Sequence, residues 1–135
     1  MALEILIIDD DEVVLFLHEL YLKDCYDAQI IRTFRSAEAA LHYIKFEQKE
    51  PSPTYIVILD INMPCLSGWE FMDELKTHPV YSNMFVFMVT SSLDGKDKEL
   101  AKNYDCIIGF CEKPLEETIC SQIRQYPQLA HLFTP

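Results

Sequence analysis

The chain has 135 residues, half of them hydrophobic and 24% charged, with a formal net charge of −11. That length suits one globular domain with a core of its own, and the acidic balance together with the lack of a basic run argues against contact with a nucleic-acid backbone. Five cysteines without a CxxC pair suggest neither a disulfide framework nor a zinc site but reduced thiols. No basic n-region, signal peptide or membrane-length apolar run is visible, so a cytoplasmic protein without a membrane role is expected.

Leu3 to Ile8 is apolar apart from Glu4 and reads as a buried strand running into Asp9, Asp10 and Asp11. Val13, Val14, Leu17, Leu20 and Tyr21 recur at helical spacing, which predicts an amphipathic helix from Glu12 to about Lys23. Gln29 to Phe34 reads as a second strand. Ser36 is a suitable N-cap for a helix with Ala37, Ala40, Leu41 and Ile44 on one face. Glu47 to Pro53, with two prolines, is a loop.

Tyr55 to Leu59 is an apolar run of the kind buried on both faces of a sheet, and Asp60 ends it. A lone acid there also suits a turn cap, and the other strand ends must decide. Pro64 and Gly68 mark a turn into a helix from Gly68 to about Lys76, with Phe71, Met72 and Leu75 inward, stopped at Thr77-His78-Pro79. Met84 to Val89 is a fourth strand, ending in Thr90-Ser91-Ser92, and a more polar helix runs from about Lys96 to Asn103. Cys106 to Cys111 is a fifth strand leading to Glu112-Lys113-Pro114. Leu115 to about Tyr126 supplies a last helix through Leu115, Ile119 and Ile123.

Strand and helix alternate five times over short connections. Such a chain forms a doubly wound α/β fold, a five-stranded parallel sheet with helices on both faces, because right-handed crossovers join parallel neighbours. All strands then end on one edge. Asp9, Asp10, Asp60, Thr90, Ser91 and Lys113 meet there, three carboxylates with hydroxyls and an ammonium. Packed carboxylates repel unless a cation joins them, and hard oxygen donors without nearby His or Cys favour magnesium over zinc. An Asp60 oxygen left over can act as a nucleophile toward a phosphoryl group, whose oxygens the metal, Lys113, Thr90 and backbone N–H groups would neutralise.

From Ile5 to about Tyr126 the chain resembles the receiver domain of two-component response regulators. The resemblance rests on Ile-Leu-Ile-Ile-Asp-Asp-Asp-Glu, Leu-Asp-Ile-Asn-Met-Pro with Gly68 eight residues after Asp60, Val-Thr-Ser, and Glu-Lys-Pro, in this order. It implies a flavodoxin-like sheet of order 2-1-3-4-5 over residues 1–126, with 127–135 as a short tail. Asp60 matches the residue that accepts a phosphoryl group from a histidine kinase or phosphotransfer protein. Asp9 and Asp10 match the acidic pair that holds Mg2+, with Asp10 favoured as the direct ligand. Asn62 matches the position that lends a backbone carbonyl. Thr90 matches the switch hydroxyl, Lys113 the phosphate-binding lysine and Phe110 the switch aromatic.

A cis bond from Lys113 to Pro114 is common in such proteins. Phe110 lacks a hydroxyl to anchor an outward rotamer, so an inward bias is expected. Asn62 and Ser92 occupy positions that tune hydrolysis in the family. The expected output is altered protein binding through roughly Lys96–Tyr126, with a homodimer on phosphorylation also admitted; without a DNA-binding or catalytic output segment, that output falls to another polypeptide.

Three other readings fare worse. A phosphohydrolase using an aspartyl-phosphate usually places an acid where this chain has Asn62. A binding module that has lost phosphorylation does not need Asp10, Asp60, Thr90 and Lys113 together. A flavodoxin-like cofactor carrier needs a phosphate-cradling loop where three acids stand. Asp11 and Glu12 are expected to face solvent in the first helical turn, the four histidines to lie on helix surfaces or loops, and Trp69 to anchor the third helix half-buried. Cys65 is expected in an exposed loop without a redox role.

Overall fold

The computed structural model describes residues 3–23, 30–47, 53–91, 94–113, 115–116 and 119–132. Its strands are β1 (Leu3–Ile8), β2 (Ile30–Phe34), β3 (Thr54–Asp60), β4 (Met84–Thr90) and β5 (Ile107–Glu112). They form one parallel sheet of order β2-β1-β3-β4-β5. The helices are α1 (Glu12–Lys23), α2 (Ala37–Phe46), α3 (Gly68–Leu75), α4 (Gly95–Ala101) and α5 (Ile119–Arg124). This is the doubly wound, flavodoxin-like arrangement expected from the alternation of strand and helix.

Alternation of side chains along the strands divides the interior into two cores. Leu6 and Ile8 of β1, Val57 and Leu59 of β3, and Val86 and Met88 of β4 face Ala40, Ile44, Phe71, Met72 and Leu75 of α2 and α3. Ile5, Ile7, Ile56, Ile58, Phe87 and Val89 face Leu15 and Leu22 of α1 and Ile119 and Ile123 of α5. Each fully buried aliphatic side chain contributes about 2 kcal/mol. The central strands β1 and β3 are buried along their whole length, which is why they read as unbroken apolar runs, whereas the edge strands β2 and β5 are partly exposed.

Local signals set the helix ends. Ser36 accepts from the Ala39 N–H at 3.1 Å and caps α2. Ser67 and Glu70 form a reciprocal capping box at α3. Asp11 accepts from the Val13 N–H at 2.9 Å and caps α1, and Asp11 and Glu12 are both exposed, as expected. Two short 3-10 turns were not foreseen. Pro79–Asn83 is started by His78, whose Nδ1 accepts from the Val80 N–H at 3.1 Å. Pro127–Leu132, in the segment expected as a tail, places Leu129 fully buried beside Ile123.

The inward face of α1 differs from expectation. Leu15, His18 and Leu22 are its buried residues, while Val13, Phe16 and Leu20 are exposed. The helix is apolar nearly all round, so two faces satisfy the helical period and the sheet selects one. His18, expected at the surface, is therefore a core residue, 1% exposed. His42 is exposed as expected. Cys65, Cys106 and Cys111 are free thiols, with Cys65 exposed. Gln29, the loop at 48–52, Ser92, the Pro114 bond, Cys25 and the side chains of Cys120 and His131 lie outside the described residues.

Candidate functional site

The carboxyl ends of β1, β3, β4 and β5 bring the expected residues together. Asp9 follows β1, Asp60 ends β3, and both are 2% exposed; Asp10 is exposed. One oxygen from each of these three acids lies within 4.8 Å of the others. Lys113 follows β5, and its Nζ stands 2.7 Å from Asp9 Oδ2 and 3.1 Å from Asp60 Oδ2. Its own N–H donates to the Thr90 carbonyl at 2.9 Å, which ties the end of β5 to the end of β4.

The two oxygens of Asp60 are in different situations. Oδ1 accepts from the Asn62 N–H at 3.2 Å. Oδ2 is buried and near the ammonium, yet receives no aligned hydrogen bond from any described residue. The contact with Lys113 is an ion pair at 3.1 Å. Burial, and then the nearby Asp9 charge, push the Asp60 carboxyl above the usual range, against the pull of Lys113 and Asn62. Burial works against the Lys113 charge, but contacts with Asp9 and Asp60 outweigh it and hold the ammonium above its ordinary value.

Strand alternation sorts the site into two sides. Asp60 shares parity with Ile56 and Ile58, and Asp9 with Ile5 and Ile7, so both continue the face covered by α1 and α5. Thr90, 1% exposed, shares parity with Val86 and Met88 and continues the opposite face. Phe110 pairs in register with Met88 and packs, half-buried, against that same opposite core. Asn62 is exposed just beyond Asp60.

Gly68 fixes the close approach of α3. A Cβ there would lie 2.7 Å from the Asp60 carbonyl oxygen and 3.0 Å from Ile61 Cα, both backbone atoms. The Gly68 N–H donates to the Ile61 carbonyl at 2.9 Å. Next to it, Trp69 is half-buried, stacks on Tyr104 and donates from Nε1 to Asp97 Oδ1 at 3.2 Å, so it joins α3 to α4. Asp97 could not have been matched to Trp69 from spacing, since they are 28 residues apart.

The donor set suits a small hard cation. Three carboxylates face one ammonium, leaving the cluster net negative, and Asp60 Oδ2 is a buried acceptor with lone pairs to spare. The family model for the response regulator receiver domain matches residues 5–124. The chain is a response regulator receiver domain. As such it belongs to two-component signalling, in which receiver domains interact with histidine kinases or phosphotransfer proteins and with downstream targets.

Solved receiver structures agree with the fold. A response regulator receiver protein from Dyadobacter fermentans is 30% identical with a TM-score of 0.76, over 92% of this chain and 97% of that one. A two component response regulator from Cytophaga hutchinsonii is 30% identical with a TM-score of 0.78, over 90% and 93%. The chemotaxis protein CheY4 of Vibrio cholerae, at 19% identity, shares the fold with a TM-score of 0.72 over 93% and 98%. A comparison with curated proteins gives no match. No helix among the described residues is long and apolar enough to cross a membrane.

Proposed function

We propose that this receiver domain is a phosphorylation switch in which Asp60 takes a phosphoryl group from the histidine of a kinase or phosphotransfer protein. The observation that carries the reading is the setting of Asp60 Oδ2, a buried carboxylate oxygen 3.1 Å from an ammonium and grouped with two further acids, with no aligned hydrogen bond among the described residues. An oxygen so placed keeps its lone pairs for an incoming electrophile. Oδ2 attacks phosphorus, the bond from phosphorus to the donor nitrogen breaks, and the electron pair returns to the imidazole, which takes up a proton as it leaves.

Lys113 is the group able to follow the reaction. Its ammonium, now shared by Asp9 and Asp60, pairs with a phosphoryl oxygen once Asp60 is esterified. Thr90 offers its hydroxyl from the opposite side of the sheet, and a pull on Thr90 opens space behind it for Phe110, the proposed switch pair. Asp9, Asp10, Asp60 and the Asn62 carbonyl would hold Mg2+, and the ion, when bound, neutralises the carboxylates and the transferring oxygens. Asn62 offers no acid to turn over outside substrates. The domain thus promotes its own phosphorylation and hydrolysis rather than serving as a conventional enzyme.

Exposed apolar side chains support α1 as the docking place for the donor. Val13, Phe16 and Leu20 are 66%, 66% and 52% exposed in one stripe along α1, which begins beside the acids. The target would read the surface from Lys96 to Tyr126, with dimerisation of the phosphorylated form as one output, in the cytoplasm. Incubation with Mg2+ and acetyl phosphate tests the reading by intact mass. A phosphate-sized adduct that needs the metal and is absent from Asp60→Asn is expected; an adduct that survives this substitution sinks it.

A further inference from the structure

His18 stands outside the acidic site but touches the segment that carries Lys113. It occupies the buried face of α1 between Leu15 and Leu22. Its Nε2 accepts the Leu115 N–H at 3.2 Å across a separation of 97 residues. Leu115 is itself 3% exposed and lies two residues beyond Lys113. Proline at 114 has no N–H to give, so the backbone donors on either side of it belong to Lys113 and Leu115. The Lys113 N–H goes to the Thr90 carbonyl at 2.9 Å, and the Leu115 N–H goes to His18.

An apolar residue would fill this position as well as its neighbours do, but it would leave a buried amide without an acceptor. The imidazole must be neutral at Nε2 to accept, and burial lowers its pKa to about 4, which keeps it so at neutral pH. Nδ1 then carries the proton, and it is buried without a partner among the described residues. Accepting that cost at one nitrogen makes sense if the bond at the other is what the position serves.

We infer that His18 is a positioning residue for phosphoryl transfer: by accepting the Leu115 N–H it clamps the turn after β5 to α1 and so sets the reach of the Lys113 ammonium toward Asp60. This rests on the proposed phosphorylation of Asp60. His18 touches no reacting atom, and it acts through Lys113.

The test is a cycle of variants of the full chain, phosphorylated by acetyl phosphate at saturating Mg2+. His18→Leu lowers the rate by roughly ten- to a hundredfold, the scale of a misplaced catalytic group. His18→Gln, whose Oε1 reaches the position of Nε2, recovers most of it. In a Lys113→Ala background His18→Leu adds no further loss, because the group it positions is gone. A Mg2+ titration of each variant, followed by Trp69 fluorescence, sets the metal concentration so that occupancy is equal in every rate comparison.

If His18→Leu does not fold, His18→Asn, whose amide falls short of Leu115, takes its place. A wild-type rate in the folded variant, or an equal loss in both backgrounds, overturns the inference. Should the wild-type chain take no phosphoryl group, the phosphorylation reading falls by itself. The inference is then decided by 15N spectra of the Lys113 ammonium, slow to exchange in wild type and His18→Gln. Loss of that signal in His18→Leu upholds the clamp, and its persistence refutes it.

Discussion

Gly68→Ala isolates the contact that brings α3 against the phosphoacceptor strand. Gly68 has no positive φ, so its value lies in the missing side chain rather than in backbone freedom. The added methyl would sit 2.7 Å from the Asp60 carbonyl oxygen, about 0.7 Å inside ordinary contact, and 3.0 Å from Ile61 Cα. Both are backbone atoms of β3 and its exit, pinned by the Ile61 N–H to the Val89 carbonyl at 3.0 Å, so α3 must yield instead. Retreat stretches the Gly68-to-Ile61 bond and strains the Ser67–Glu70 capping box.

Overpacking of this kind costs about 1–3 kcal/mol. Alanine returns up to about 1 kcal/mol of helix propensity, less in a first turn. The net loss is about 1–2 kcal/mol, or roughly 5 °C in melting temperature for a domain of this size. Urea and thermal denaturation read it directly, with Gly109→Ala as the contrast. There the new methyl meets the Tyr126 hydroxyl at 2.6 Å and the ring of buried Phe87 at 3.1 Å, side chains rather than backbone, and the half-buried Tyr126 can swing outward, so the loss is smaller. A Gly68→Ala protein as stable as wild type would show that α3 is not held at the distance described.

Other outcomes follow from buried polar groups. The folded pKa of His18, about 4, lies below the ordinary 6.5, so the unfolded chain takes up the proton first as pH falls. Stability present above pH 6.5 is therefore lost toward pH 4, by about 2 kcal/mol between pH 7 and 5, and urea midpoints of His18→Leu lack this component. Asp60 has a raised pKa, so its ionised form weakens the fold at neutral pH. Asp60→Asn without metal gains about 1 kcal/mol by thermal melting, and the gain fades as pH falls into the carboxylate range. Glu4 is 1% exposed and accepts from the Tyr43 hydroxyl, with Arg32 Nε at 3.7 Å. Tyr43→Phe removes that donor and costs about 2 kcal/mol in urea denaturation.

Much of the fold was legible because β1 and β3 are buried on both faces, and only an unbroken apolar run survives there. Asp9, Asp60, Thr90 and Lys113 were legible for a related reason: in a parallel sheet the residue after each strand reaches the same edge. The α1 face was not, since Val13 to Leu17 are all apolar and periodicity cannot rank two apolar faces. His18 was misplaced along with it, because a polar residue in an apolar helix reads as surface until its acceptor role is seen. Glu4 broke the pattern of β1 visibly, but its partner Tyr43 lies 39 residues away and spacing gives no clue to it. Trp69 was read correctly as a half-buried anchor, while its bond to Asp97 depends on where α4 lands.

The division of the interior by the sheet has a consequence for how such a domain can diverge. Asp9 and Asp60 continue the side of α1 and α5, while Thr90 and Phe110 belong to the side of α3, and the strands separate the two sets of packing. Substitutions with no shared neighbours combine additively once about 7–10 Å apart. Repacking beneath α3 can thus alter what the domain presents to a listener while the acid cluster keeps its geometry, with Thr90, at the seam, as the residue both sides must respect.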